Sequence, residues 1–296
     1  MKATLLISFL LLFGFTQAQN IKAAYDSKEI QALQKGPLYV IATGDETFDD
    51  CFQAAVAACW KIGPYKVVST AEASNLLKDE SNVFIAPVTS FEKGFACKVA
   101  SPLTYDSGRG VGIELSIFHG SKNSRSLDNI DQNSEITSSI FPLYMPSLAT
   151  TGMIYAVKNL NDNVQIVLDR KINPVSKWTG KKNASLQEDF CKNTGALKTK
   201  TLLIDEDMTA FVLPEKMIKE KYKYKYLILE GPEIAAVMNT TASKDYCVLA
   251  DCKGSLEIYD CGTRAKIWSG KKNVGSNLIK RQYLDALNSA IEEAKN

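Results

Sequence analysis

The sequence predicts an α/β protein of two tandem, similar domains, each a mixed sheet packed with helices, with an internal duplication relating the two. Short apolar segments alternate with segments of helical periodicity in both halves of the chain. The two series keep nearly the same spacing, and 296 residues are enough for two domains of ordinary size. These three observations together indicate the duplication.

The first series of predicted elements occupies the stretch before residue 89. Apolar side chains recur at helical spacing from Phe48 to Cys59, and Thr47 with Asp50 resembles a capping box at the start of this helix. Thr70 is expected to cap a shorter helix over 71–78. Three segments around these helices have the length and composition of buried strands: Leu38–Ala42, Tyr65–Ser69 and Val83–Val88.

The second series repeats this order in the last third of the chain. Its predicted helices are Pro214–Lys221, Pro232–Met238 and the amphipathic Asn277–Ala294. Its predicted strands are Thr201–Ile204, Tyr226–Leu229, Tyr246–Ala250, Leu256–Tyr259 and Ala265–Trp268. Three pairs of strand positions correspond, at differences in residue number between 161 and 164: Leu38 and Leu202, Val67 and Ile228, and Val83 and Tyr246. Unrelated α/β segments seldom hold their spacing so closely.

The duplication sets the expected domain boundaries. Residues 19–195 form the first domain, with an insertion at about 89–151, and residues 196–296 form the second. A second similarity relates 177–183 to 267–273 through the shared letters Trp, Gly, Lys, Lys and Asn, at a difference of 90 residues. The insertion accounts for only part of the conflict between the two spacings.

The first eighteen residues have the pattern of a cleavable signal peptide. Lys2 precedes an apolar run over 3–15, and Thr16-Gln17-Ala18 supplies small residues at the −3 and −1 positions of a cleavage site after Ala18. The apolar run is shorter than the ~20 residues of a membrane span. A periplasmic or secreted protein is therefore expected, with an uncleaved anchor as the alternative.

The middle of the chain is predicted to hold a loop followed by strands. Residues 127–139 are polar and are expected to form a loop or linker. Residues 136–157 carry no charge, but their prolines, glycine and hydroxyl residues argue against a membrane helix, and no transmembrane segment is expected in the mature chain. Met153–Lys158 and Val164–Asp169 are predicted strands joined by an Asn-rich turn.

No catalytic, cofactor or metal site is recognisable in the sequence. A net charge of +2 provides no electrostatic basis for nucleic-acid binding. Any Ser-His-Asp or Cys-His arrangement would have to use the single histidine, His119, at the end of a predicted strand. Four acidic residues suit the start of a helix and lack the spacing of a calcium loop: Asp45, Glu46, Asp49 and Asp50.

Seven cysteines follow the leader, an odd number that leaves at least one without a partner in its own chain. Export would place them in a compartment that permits disulfides. A three-residue hairpin loop at 253–255 would place Cys247 directly opposite Cys261, which makes this pair the candidate bridge. A two-residue loop at Lys253-Gly254 would place Asp260 opposite Cys247 instead, and buried free thiols are the alternative.

Lys and Tyr alternate strictly from Lys221 to Tyr226. A strand here would place three Lys on one face and three Tyr on the other. The Tyr face, formed by Tyr222, Tyr224 and Tyr226, would make a binding strip for a glycan or a strand-like protein partner. The alternative is an edge strand whose Tyr face packs inward while the Lys face opposes aggregation.

The last strands resemble a known family. Leu256–Gly262 and Ile267–Gly270 form strand, turn and strand ending in Trp-Ser-Gly, and Lys225–Ala250 supplies strand, helix and strand before them. This pattern resembles the α/β domain of periplasmic accessory lipoproteins of the curli-secretion-channel and penicillin-binding-protein-activator type. The chain departs from that group in lacking a lipobox Cys. The resemblance implies a non-enzymatic envelope module and carries over no functional residue.

The functional prediction is an exported, non-catalytic binding or envelope-assembly protein that needs no cofactor. Its expected partner is an envelope protein or a glycan. The alternative is a secreted hydrolase whose site is assembled from residues distant in sequence.

Overall fold

Each half of the chain forms a five-stranded mixed sheet. The computed structural model describes residues 32–89, 97–101, 113–131, 134–139, 146–169, 193–252, 255–271 and 277–294. The strands of the first sheet are β1 (Leu38–Ile41), β2 (Tyr65–Val68), β3 (Val83–Thr89), β4 (Ile113–His119) and β5 (Glu135–Ser139). Those of the second sheet are β6 (Thr201–Asp205), β7 (Tyr226–Leu229), β8 (Tyr246–Cys252), β9 (Ser255–Asp260) and β10 (Lys266–Lys271).

The two sheets have the same topology. Their strand orders are β2-β1-β3-β4-β5 and β7-β6-β8-β9-β10. In each sheet the first three strands along the chain are parallel, and the last two pair antiparallel with their neighbours. The predicted fold class, two similar mixed-sheet domains, is therefore confirmed.

The strand register makes the correspondence specific to single residues. Equivalent residues have equivalent neighbours in the two sheets: Leu38 lies beside Tyr65 and Val83, and Leu202 lies beside Tyr226 and Cys247. The predicted matches of Leu38 with Leu202 and of Val67 with Ile228 follow from this register.

The third predicted match is wrong by one residue. Val83 corresponds to Cys247 and not to Tyr246. Because successive side chains of a strand point to opposite faces, a shift of one residue exchanges the two faces of the sheet. The corrected match places Val83 and Cys247 on the face that packs against the helix following the first strand of each repeat.

Helices cover both faces of both sheets. They are α1 (Glu46–Cys59), α2 (Thr70–Leu76), α3 (Pro146–Asp169), α4 (Glu206–Phe211), α5 (Glu215–Lys221), α6 (Gly231–Met238) and α7 (Asn277–Glu293). Side chains of α2 pack on the outer face of the first sheet, and α1, α3 and α6 fill the layer between the two sheets. α5 and α7 cover the outer face of the second sheet, which gives an order of helix, sheet, helix, sheet, helix.

α3 contributes to the packing of both halves. It lies against α1, β4 and β5 of the first half and against α6 of the second. The Tyr155 hydroxyl donates to the carbonyl of Cys261 at 3.3 Å, and the Tyr155 ring meets the ring of Tyr259 edge-on, with centroids 5.9 Å apart. This helix therefore joins the two repeats through a shared core.

The two strands predicted within α3 are wrong, because 153–158 and 164–169 belong to one helix. Asn-rich sequence favours a turn when read locally. In the structure, Asn159 donates to the Ser139 hydroxyl at 2.9 Å, and Asn161 accepts from the main-chain N–H of Lys61 at 2.8 Å. These partners on neighbouring elements allow the helix to continue through the polar residues.

The predicted loop at 127–139 is also wrong at its end, where β5 forms. β4 and β5 lie inside the predicted insertion at 89–151, yet they occupy the places of β9 and β10 in the repeat. These two strands therefore belong to the repeated unit. The limits of the two domains at 19–195 and 196–296 stay predictions.

The caps of the first two helices precede the predicted ones. Asp45, and not Thr47, caps α1 by accepting from the N–H of Phe48 at 3.1 Å. Ser69, and not Thr70, caps α2 in a capping box with Glu72. In both helices the cap is a short polar side chain directly before the first helical residue, where it can accept from a free N–H of the first turn.

Within the ranges given above, no helix combines the length and the apolar character needed to cross a membrane. The predicted signal peptide at 1–18 and the similar segment at 177–183 lie outside those ranges.

Candidate interaction site

β7 forms one edge of the second sheet, and among the strands of the described residues only β6 pairs with it. The N–H of Leu202 donates to the carbonyl of Lys225, and the parallel register continues from there. In a parallel ladder, alternate residues of an edge strand bond inward. Lys225, Leu227 and Leu229 therefore bond toward β6, and the N–H and C=O groups of Tyr226 and Ile228 point away from the sheet.

Leu227 makes this edge apolar. Its side chain is 45% exposed, and the only other large hydrophobic residue found exposed in the described part of the chain is Tyr65, at 40%. Exposed lysines precede the strand and exposed glutamates follow it: Lys223, Lys225, Glu230 and Glu233. The edge thus has a basic start, an apolar centre and an acidic end.

The approach to β7 is held in place by α7. Lys223 forms an ion pair with Glu292, with Nζ and Oε1 2.7 Å apart. The side-chain amide of Asn288 donates to the carbonyl of Lys221 at 2.7 Å. These contacts fix the basic segment beside the edge, so that the start of β7 has a defined position.

The three residues of the predicted Tyr binding strip pack inward, Tyr222 buried and the other two half-buried. Tyr222 follows the last residue of α5, is only 6% exposed, and packs in the outer core of the second sheet. The rings of Tyr224 and Tyr226 lie edge-on to it, with centroids 5.8 and 6.2 Å away. Burial raises the pKa of Tyr222. The predicted strand over 221–226 is wrong, because Lys221 ends α5 and β7 begins only at Tyr226. The Tyr side chains nevertheless pack inward while Lys223 and Lys225 stay exposed.

Sequence reasoning missed Leu227. All four residues of β7 are apolar, and Leu229, on the same face as Leu227, packs against the core between the sheets. Apolar character therefore does not distinguish the exposed Leu227 from its neighbours. The strand order that makes β7 an edge depends on contacts between distant segments.

The equivalent edge of the first sheet differs at its centre. The register pairs Tyr39 with Lys66 and Leu203 with Leu227, so Lys66 occupies the position of Leu227. Lys66 is exposed. A lysine at the centre of an edge strand opposes pairing with another strand, and β2 therefore has a protection that β7 lacks.

The predicted Cys247–Cys261 bridge is not formed. Asp260 lies opposite Cys247, as expected for the two-residue loop, because Cys252 pairs with Ser255. Both cysteines are buried free thiols, and burial raises both pKa values, that of Cys261 to about 12. Cys247 packs in the outer core and Cys261 in the core between the sheets, so the two thiols lie on opposite faces.

Asp205, at the end of β6, is a buried carboxyl that sequence reasoning did not identify. It is 3% exposed; one oxygen accepts from the N–H of Asp207 at 2.9 Å, and the other, Oδ2, is buried with no hydrogen-bond partner among the residues that the structure describes. Burial raises its pKa, and the nearby carboxylates of Asp207 and Glu206 act in the same direction. The equivalent residue of the first sheet is the apolar Ile41.

The other candidate residues take structural positions. Asp49 accepts from the N–H groups of Thr43 and Gly44 at 2.8 and 2.9 Å and so holds the turn before α1. His119 ends β4, with Nδ1 2.6 Å from the carbonyl oxygen of Gly120. Over the residues with assigned positions, His, Cys, Asp and Glu form no group of three or more that would hold a metal ion.

Comparison with models of protein families, with curated proteins and with solved structures finds no match to this chain.

Proposed function

We propose that the chain is an exported binding or envelope-assembly protein that acts without catalysis, and that the edge of β7 is its binding surface. One observation carries this proposal: the main-chain groups of Tyr226 and Ile228 point outward beside the exposed side chain of Leu227. An extended segment of a partner adds to such an edge through main-chain hydrogen bonds, and apolar side-chain contacts add specificity.

A polypeptide fits this edge better than a glycan does. Main-chain pairing requires donors and acceptors that alternate at the spacing of a strand, which an extended peptide supplies. The aromatic rings that would stack on a sugar belong to Tyr222, Tyr224 and Tyr226; the first is buried in the outer core, and the other two are half-buried against it. The partner we propose is therefore a strand-forming segment of an envelope protein.

Fractionation of cells that produce the protein tests the export part of this proposal. We expect the mature chain outside the cytosol, with Gln19 as its first residue after removal of the leader. N-terminal sequencing of the purified chain measures this directly. A cytosolic protein with Met1 still attached would contradict it.

Photo-crosslinking tests the binding part. A photoreactive residue at position 227 should yield adducts with an exported protein, whereas one at position 66, its equivalent on β2, should not. Ile228→Pro should abolish the adducts, since proline removes an outward N–H that the β6–β7 ladder does not use. Circular dichroism checks that the variant is folded. Equal adducts at 66 and 227, or none at 227, would contradict the proposal.

A further inference from the structure

We propose that the strand received by β7 is β7 of a second copy of the chain, so that two copies pair antiparallel about a two-fold axis at Leu227. This inference rests on the proposed role of the β7 edge as a binding surface and names its partner. It follows from three properties of the edge: its hydrogen-bonding pattern, its exposed apolar centre and the distribution of charge along it.

The main-chain pattern of β7 is self-complementary. In an antiparallel pair, residues that exchange both main-chain hydrogen bonds alternate with residues that exchange none. Tyr226 of one copy faces Ile228 of the other, and the reverse holds across the axis. This register uses every outward N–H and C=O group of Tyr226 and Ile228. The interface is isologous, as expected for a closed dimer.

The same register brings the two exposed leucines together. Leu227 lies between Tyr226 and Ile228 and faces Leu227 of the second copy in the non-hydrogen-bonded pair, where Cα atoms are about 4.5 Å apart. Its side chain is 45% exposed in the single chain. Pairing of two copies would remove this apolar surface from water on both sides at once.

Charge along the edge also favours antiparallel pairing. Lys223 and Lys225 precede the strand, and Glu230 and Glu233 follow it. When two copies run in opposite directions, the basic start of one strand lies beside the acidic end of the other. A parallel arrangement would place like charges together, which is unfavourable.

β2 provides the internal contrast. The same two-fold register on β2 would bring Lys66 against Lys66 of the second copy. Like charges directly opposite each other destabilise a strand pair. The first sheet is therefore not self-complementary, and the proposal is specific to the second.

The strength of the interaction follows from its size. Strand β7 has four residues, and an interface built on so short a strand is small compared with that of a permanent dimer. We therefore expect monomer and dimer in equilibrium at concentrations between about 1 and 100 µM.

Sedimentation velocity of the mature chain across this concentration range tests the association. Leu227→Lys, which copies the residue of β2, should weaken dimerisation at least about tenfold. Tyr65→Lys is the matched control, because it changes the other exposed large hydrophobic residue and should leave the association unchanged. A wild-type chain that is monomeric throughout, or two variants that behave alike, would overturn the proposal.

Disulfide trapping tests the register. Leu227→Cys should cross-link to a covalent dimer under mild oxidation, because its Cα lies within disulfide distance of its counterpart. Lys225→Cys should not, because that residue faces Leu229 of the second copy, and the unmodified chain provides the background of the natural cysteines. Equal cross-linking of both variants would exclude this register.

The two proposals fail in different ways. If the chain is monomeric but position 227 captures another exported protein in cells, self-pairing is wrong and the proposed function stands. If position 227 captures nothing in cells and the chain is monomeric, both are wrong.

Discussion

The two repeats have the same strand topology, but the helix that follows the last strand is buried to a different extent in each. α3 and α7 each follow the last strand of a repeat. α3 lies between the two sheets and packs on both sides, whereas α7 covers the outer face of the second sheet and exposes residues such as Arg281 and Asp285. The position of a helix in the layer order, and not its place in the repeat, therefore decides how much of it is buried.

Equivalent positions on the last strand of each repeat also carry side chains of different chemistry. Trp268 on β10 takes the place of Thr137 on β5, and Gly270 takes the place of Ser139. In the first repeat, Ser139 binds Asn159 of α3. In the second repeat, the ring of Trp268 fills the corresponding space and packs directly against Gly270, which leaves no room for a side chain at that position. The duplicated backbone thus supports a polar contact in one copy and an apolar one in the other.

Removing the ring of Tyr155 tests whether α3 joins the repeats. Its ring is buried against Tyr259, so Tyr155→Ala should lower the free energy of unfolding by about 3–5 kcal/mol. Urea unfolding followed by circular dichroism measures this change. Gln282→Ala on the exposed side of α7 is the control and should stay within about 0.5 kcal/mol of the parent. A loss as small as that of the control would show that α3 does not couple the halves.

Replacing Gly270 on β10 by serine, the residue at the equivalent position of β5, tests the difference in packing between the two repeats. Gly270→Ser places a Cβ where Trp268 already lies, because a Cβ built at Gly270 is 2.3 Å from Cη2 of the Trp268 ring. We expect a loss of about 1–3 kcal/mol of stability from the displaced ring. Chemical unfolding gives the loss, and tryptophan fluorescence reports movement of the ring. Unchanged stability together with an unchanged spectrum would contradict the close packing.

The smallest expected effect concerns Asp205, where the first repeat has Ile41. Because burial raises the pKa of Asp205 in the folded chain, the unfolded chain releases its proton first as pH rises above about 4. Stability therefore falls between the unfolded and the folded pKa. Asp205→Asn should be close to neutral at pH 3 and stabilising near pH 7. Thermal unfolding over this pH range measures the difference, and a constant difference at every pH would contradict the raised pKa.

Local patterns predicted the strands well and the middle of the chain poorly. The strand predicted at Tyr226–Leu229 is confirmed in full, and the other strands predicted in the first and last thirds of the chain agree within a few residues, because short apolar segments between turns have few other ways to be buried. The sequence of α3 predicts two strands, because its asparagines favour a turn locally. Their partners, Ser139 and the N–H of Lys61, are supplied by other elements.

The residues of the candidate site could also be predicted only in part from local sequence. The alternation of Lys and Tyr was visible in the sequence, together with both possible directions of the Tyr face. The choice between them depended on where α5 ends and on the core that α7 provides. The exposure of Leu227 and the burial of Asp205 depended on strand order, which no local pattern contains.

The amino-acid sequence by itself determined the order of strands and helices in the first and last thirds of the chain, and their repetition, because side-chain periodicity and turn residues act over a few positions. Only the tertiary structure decided which strands became edges, which face of each sheet met the other repeat, and which of two equivalent residues was exposed. These outcomes depend on pairing between segments far apart in the chain. A shift of one residue in the register of a strand would exchange its buried and exposed side chains.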